Sequence, residues 1–200
     1  MVKVEPVGDA ESLGDSPHWD EKEQVLYFVD IAIGTVNKYD PVTKVQTSVK
    51  VGGSRTSLVV LVEGKSDKCV VSVERGIAVA TWDGKSSKPN RLEALCVVHD
   101  KEGERENKFN DGKVDPTGRF WAANRRVAFY LKKNNLTGCN HDGMAIDTEG
   151  KLWVACMKGG QPIRVKRVEY GAAPNLLGWG KREIPENIRR QAASSGTIPT

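Results

Sequence analysis

An all-β fold, a radial stack of small antiparallel sheets of the β-propeller type, is what this 200-residue chain predicts, and three observations carry the prediction. Short β-branched or aromatic runs alternate with turn clusters such as Asp40-Pro41, Glu63-Gly64-Lys65, Asp83-Gly84 and Glu149-Gly150-Lys151, the punctuation of strands joined by tight connections. No stretch before the last 30 or so residues carries the periodicity of an amphipathic helix. The chain also repeats itself: V-D-P-T-G-R-F-W-A-A from Val114 returns as I-D-T-E-G-K-L-W-V-A from Ile146, and internal repetition is the mark of stacked units.

The elements follow in chain order. Val25 to Ile31 is apolar on both faces, as in an innermost strand covered on both sides. Its followers, Thr35 to Tyr39 and Val45 to Val51, mix polar with apolar residues, as expected towards the edge of a small sheet. A second unit reads as Ser57 to Val62, Cys69 to Val73, Ile77 to Trp82 and Arg91 to Val98. Phe120 to Ala123 and Leu152 to Cys156 are again apolar on both faces and are expected to be innermost, with Ile163 to Val168 outside them.

Spacing tests this organisation. From Asp15 to Asn110 is 95 residues, room for two blades of about 47, within the roughly 40 to 50 of propeller repeats. From Asn110 to Asp142 is only 32, too short for a four-stranded blade. The expectation is therefore a propeller over residues 1–168 of about three and a half to four blades, with something missing between Asn110 and Asp142. Residues 169–200 lose strand periodicity and read as a divergent, loosely ordered tail.

Thirty basic residues stand against 26 acidic ones, a formal charge of +4, with both signs mixed along the chain. Nucleic acid is not an expected partner. The first residues hold no apolar run of signal-peptide length, and no stretch reaches the roughly 20 apolar residues that span a bilayer. A cytoplasmic protein with no membrane partner is expected. Cys69, Cys96, Cys139 and Cys156 form no C-x-x-C pair and read as small buried hydrophobes.

Three times an oxygen-bearing side chain stands five residues ahead of an aspartate: Asp15 before Asp20, Asn110 before Asp115, Asp142 before Asp147. Equal offsets give Asp15, Asn110 and Asp142 one structural position in successive units, where hard oxygens could converge on a cation such as calcium. The competing reading is that Asp and Asn ahead of strands form turns, and Asp111-Gly112 and Asp142-Gly143 are typical turn dipeptides. The threefold register favours the site. Asp20, Asp115 and Asp147 read as turn residues and His18 and His141 as structural. Trp19, Trp82, Trp121 and Trp153 should pack between blades.

The segments L-G-D-S-P-H-W-D from Leu13, K-F-N-D-G-K-V-D-P-T-G-R-F-W-A from Lys108 and D-G-M-A-I-D-T-E-G-K-L-W-V-A-C from Asp142 resemble the regucalcin, gluconolactonase and luciferin-regenerating enzyme family. The resemblance implies a six-bladed propeller of about 300 residues, with one divalent cation at the channel mouth and hydrolysis of sugar-acid lactones. Carried across, it makes Asp15 a metal ligand in place of the family's glutamate, one methylene shorter. It makes Lys108 and Asn110 substrate-binding, with lysine replacing an arginine and losing the bidentate fork. It makes Asp142 both a metal ligand and the catalytic acid/base. Calcium is the implied cation, with zinc, manganese and magnesium as alternatives, and the implied partner is a small lactone. The family's metal-binding asparagine and substrate-binding glutamate have no counterpart, because Phe120-Trp121-Ala122 runs directly into sequence that resembles a later part of the family; with the short interval to Asp142, the resemblance implies an internal deletion near 122–124. Two other functions stay open: a non-catalytic variant that binds a cation or other proteins, and an enzyme of the luciferin-regenerating type.

Overall fold

A computed structural model describes residues 4–9, 11–97, 108–116, 118, 120–124, 140–160, 162–165 and 176–178. Every regular element among them is a strand. In chain order these are β1 (Gly14–Asp20), β2 (Val25–Asp30), β3 (Thr35–Asp40), β4 (Val45–Lys50), β5 (Val59–Val62), β6 (Lys65–Val73), β7 (Gly76–Thr81) and β8 (Arg91–Val97). They continue with β9 (Phe109–Val114), β10 (Phe120–Asn124), β11 (Asn140–Ile146), β12 (Leu152–Met157), β13 (Pro162–Val165) and β14 (Leu176–Gly178). Four antiparallel sheets result, ordered β1-β2-β3-β4, β5-β6-β7-β8, β9-β10-β14 and β11-β12-β13.

These are the blades of the propeller, two with four strands and two with three among the described residues. The first strand of each sheet is the inner one: β1 packs on β5, β5 on β9, and β9 on β11. Here the structure corrects the sequence reading. The doubly apolar runs at Val25, Phe120 and Leu152 are second strands, and the inner position belongs to the segments that carry the polar motifs. The five-residue interval of the motif is thus the length of an inner strand: one polar residue enters it and an aspartate ends it.

Those aspartates build the turns. Asp20 Oδ1 accepts from the amides of Lys22 and Glu23 at 2.9 and 3.1 Å, and Asp147 Oδ1 from those of Glu149 and Lys151 at 3.1 and 2.7 Å. The repeat adds a second lock. Trp121 Nε1 donates to Asp115 Oδ2, and Trp153 Nε1 to Asp147 Oδ2, both at 2.9 Å. Six residues separate donor from acceptor in each copy, so the hairpin turn and the following strand are fixed together.

Two cores hold the sheets to one another. Val25, Tyr27 and Val29 of β2 meet Val59, Leu61, Val71 and Ala80 of the second sheet. Leu58, Val60, Val62 and Val79 meet Phe109, Val114 and Phe120 of the third. The second sheet is therefore buried on both faces, and each fully buried valine or leucine contributes about 1.5–3 kcal/mol. Cys69 and Cys156 lie buried as thiols; Cys139 lies outside the described residues.

The fourth sheet differs. Along β12, Leu152, Val154 and Cys156 are buried while Trp153, Ala155 and Met157 are exposed, so the run expected to be covered twice is covered once. Trp82 and Trp121 are buried as expected, but Trp19 and Trp153 are 37 and 36% exposed. The expected packing of those two between blades is not what the structure shows. β14, from the predicted tail, pairs with β10 through Trp121, Ala122 and Ala123; the rest of residues 169–200, Trp179 among them, lies outside the described residues.

Candidate functional site

Each of the three inner strands that carry a candidate residue is irregular at that residue. Between Asp15 and His18, β1 carries two residues, Ser16 and Pro17, against one of β2. Asn110 of β9 has no partner, because Asp111 and Phe109 pair with consecutive residues of β10. Asp142 and Gly143 of β11 together face one position of β12, between His141 and Met144. Bulges bend a strand and re-aim its side chains. Asp111-Gly112 and Asp142-Gly143 are thus inside strands and not in turns, which corrects the turn reading of both dipeptides.

At the first bulge the Ser16 backbone takes a left-handed φ of 52°. Its amide donates to Asp15 Oδ1 at 2.6 Å, and its hydroxyl, buried, accepts from the amide of Val59 on β5 at 3.2 Å. Asp15 is held half-exposed at the rim by that arrangement. At the third bulge, two successive residues of β9 grip the strand on either side of Asp142. Asn110 Nδ2 donates to the carbonyl of His141 at 2.6 Å, and Asp111 Oδ2 accepts from the amide of Met144 at 2.7 Å. The Asp142 carboxylate itself makes no hydrogen bond or ion pair among the described residues, so it is positioned by backbone and left free.

Asp111 is the site residue that sequence reasoning passed over. Its side chain is buried, with Oδ1 accepting from the amide of Gly112 at 2.7 Å and lying 3.8 Å from Lys113 Nζ in an ion pair. Burial raises its pKa above the carboxylate norm, and the nearby charge of Asp15 adds to the rise while Lys113 opposes it. The signal was present: the residue sits inside N-D-G-K. Gly112 beside it is needed for space, since a Cβ there would lie 2.9 Å from the Phe120 ring and 3.0 Å from Leu58.

Asp15, Asp111 and Lys113 line one cavity of about 550 Å³ together with Gly143 and Met144. His18 lines it too; burial, seconded by the Lys113 charge, pushes its pKa down to about 4, so the imidazole is neutral. Lys108 is not brought there. Its Nζ lies 2.7 Å from Glu74 Oε2, and it lines a smaller cavity of about 80 Å³ with Asn110, Ser57 and Ser72. Lys108, first among the causes, and Ser54 hold the Glu74 carboxyl at about 2.

Whether these residues suit a hard cation is a question of donors. Asp15 and Asp142 offer carboxylates, and Asn110 commits its amide nitrogen to His141 and keeps its oxygen for another partner. Oxygen donors of this kind fit calcium or magnesium better than zinc. Among the described residues no three His, Cys, Asp or Glu side chains cluster as a metal site, so backbone oxygens and water would complete the shell.

Residues 13–128 match the family described as the SMP-30/Gluconolactonase/LRE-like region. Regucalcin of Xenopus laevis is 27% identical over 234 residues, covering 82% of this chain and 75% of the relative. A luciferin-regenerating enzyme superposes with a TM-score of 0.56 at 26% identity, covering 84% of this chain and 75% of that one. A gluconolactonase of Xanthomonas campestris shares the fold, with a TM-score of 0.55 at 16% identity over 86% of this chain and 63% of that one. No helix long and apolar enough to cross a membrane occurs among the described residues.

Proposed function

The chain belongs to the SMP-30/Gluconolactonase/LRE-like family, and from that premise we propose that it hydrolyses a small lactone with a divalent cation, calcium by preference. The grip of Asn110 and Asp111 on both flanks of the Asp142 bulge carries this reading, because it fixes a free carboxylate next in sequence to Gly143, which lines the larger cavity. Asp15 and Asp142 would hold the cation. When bound, it would polarise the lactone carbonyl and orient water.

The chain's own groups supply the rest. Asp142 takes a proton from the attacking water and returns it to the leaving alkoxide oxygen as the ring opens. At the smaller cavity Asn110 and Lys108 would orient a substrate hydroxyl; because Lys108 is paired with Glu74, that hydroxyl would meet a donor and an acceptor together. Asp111 and Lys113 set the polarity of the cavity wall.

We also infer that the chain lacks an internal segment near residues 122–124 that its relatives carry. The alignment with the Xenopus protein spans 234 residues, more than the 200 of this entire chain, while using 82% of it. β10 ends at Asn124, and its outer neighbour is β14, not a strand that follows directly.

The test is hydrolysis of δ-gluconolactone by the purified, monodisperse chain, with calcium, magnesium, manganese or zinc added against chelator. Turnover should depend on the metal and fall by at least about 100-fold in Asp142→Ala, the usual scale for removing a general acid/base. A folded, metal-supplied protein without turnover overturns the reading and leaves a cation-binding or protein-interaction variant.

A further inference from the structure

Glu74 is held in place by more contacts than a hairpin turn requires. It joins β6 to β7 with a left-handed φ of 54°, a conformation unfavourable for a residue that carries a Cβ. Its Oε1 accepts from the amides of Ser54 and Arg55 at 2.6 and 3.1 Å and from the Ser54 hydroxyl, and its own amide donates to the Arg55 carbonyl at 3.2 Å. Gly53 makes room for it, since a Cβ there would lie 3.0 Å from Glu74 Cγ and 3.1 Å from Oε1. The connection from the first sheet to the second is thus folded around this carboxylate. The other oxygen, Oε2, reaches Lys108 Nζ, just ahead of β9, at 2.7 Å. Both side chains are only about a third exposed, 30% for Lys108 and 32% for Glu74, so water screens the pair less than it would at the open surface.

The cavity beside this pair measures about 80 Å³ and is lined by Glu74, Lys108, Asn110, Ser57, Ser72 and Arg55 among others. A water molecule's share of the liquid is roughly 30 Å³, so the space takes one terminal group of a ligand and not a ring. The two serine hydroxyls are engaged with each other and with the Phe109 carbonyl, at 3.0 and 2.8 Å. Lys108 keeps ammonium hydrogens beyond the one given to Glu74, and Glu74 Oε2 keeps a lone pair. We propose that Glu74 is the positioning residue for Lys108 and the group that decides what this cavity accepts: an arm ending in a neutral hydroxyl, against one ending in a carboxylate. A hydroxyl accepts from Lys108 and donates to Glu74. A carboxylate has no hydrogen for Oε2 and meets its charge at close range. Arg55 lines the cavity from an exposed stretch, where water screens its charge. The lactone probes below rest on the hydrolase reading above; the choice between their ends rests on Glu74 alone.

The full chain is titrated with γ-gluconolactone and with the γ-lactone of glucaric acid, which differ only at the terminal carbon, hydroxymethyl in one and carboxylate in the other. Isothermal titration in calcium gives Kd, and parallel rate measurements give KM and kcat. The parent should bind the hydroxymethyl compound at least about tenfold more tightly. Glu74→Gln keeps an oxygen for Ser54 and Arg55 but leaves the ammonium uncompensated, and should close that gap by about tenfold, in Kd or KM and not in kcat. Adding Lys108→Met to it should abolish the gain of the acid lactone. Lys108→Met alone leaves the carboxylate without its cation and should widen the gap, which keeps the test open if Glu74→Gln unfolds; circular dichroism checks each variant. A Glu74 that serves the fold alone would weaken both lactones alike when replaced, and that result overturns the inference. So does a parent that binds neither lactone, or one that binds the acid as tightly or more so, with Arg55→Gln showing whether the exposed guanidinium holds it. A shifted preference without turnover sustains the inference while sinking the hydrolase reading; turnover with an unshifted preference does the reverse.

Discussion

Replacing Asp111 with alanine should cost more than replacing any exposed acidic residue of the chain, and the structure says how much. The substitution removes the acceptor of the Met144 amide at 2.7 Å and of the Gly112 amide at 2.7 Å, in a residue only 3% exposed beside a Met144 that is 6% exposed. A buried donor left without a partner costs about 1–3 kcal/mol. Relief from burying a carboxylate offsets part of this, so a net loss of about 2–4 kcal/mol is expected. For a chain of this length each kcal/mol moves the melting temperature by roughly 2–4 °C, giving a drop of roughly 4–16 °C. Asp111→Asn keeps an oxygen for Met144 and sheds the buried charge, and should stay within about 1 kcal/mol of the parent. Thermal unfolding followed by circular dichroism at neutral pH, on parent, alanine and asparagine proteins, decides the matter. An alanine variant melting within about 2 °C of the parent would refute the argument. So would an asparagine variant as damaged as alanine.

Gly112→Ala should destabilise by about 1–3 kcal/mol through overpacking against Phe120 and Leu58, read as a lower urea midpoint with unchanged slope. His141 is 2% exposed with neither ring nitrogen hydrogen-bonded among the described residues, so His141→Leu should raise the melting temperature, the desolvated polar atoms being gone. Glu74, its pKa lowered to about 2 by Lys108 and Ser54, favours the folded state in full above its ordinary value near 4.5. That contribution fades as pH falls from there towards 2, because the unfolded chain binds the proton first. Stability profiles of Glu74→Gln and the parent should therefore converge across that interval and stay separated at neutral pH.

The sequence made some features legible through spacing and hid others for identifiable reasons. Equal offsets located Asp15, Asn110 and Asp142, and in the structure each lies at or beside a break in the ladder of an inner strand. Turn aspartates were legible because an Asx turn needs only its own neighbours, as Asp20 and Asp147 show. The inner strands themselves were not. Apolar runs such as Val25 to Ile31 read as innermost because they are apolar on both faces, yet the inner strands are the ones that carry the polar motifs. Asp111 escaped because Asp-Gly is far more common in turns than in strands, and only the approach of β11 gives its carboxylate a distant partner. The exposure of Trp19 and Trp153 was likewise invisible: a tryptophan in a strand signals packing, and whether a neighbouring blade stands there depends on the whole ring.

The pairing of β10 with β14 bears on the order in which the protein acquires its shape. Three of the four sheets consist of strands consecutive in the chain, joined by hairpins that close over short distances; such local contacts form early and quickly. The β9–β10 hairpin alone waits for a partner more than 50 residues further on, past the whole of the fourth sheet. During synthesis the outer edge of β10 therefore stands bare while three sheets are already built, open to whatever strand arrives first. Residues 176–178 compete for that edge as the last arrival, so the hazard for this chain lies in nascent chains crowded on one message, where the wrong copy can supply the strand.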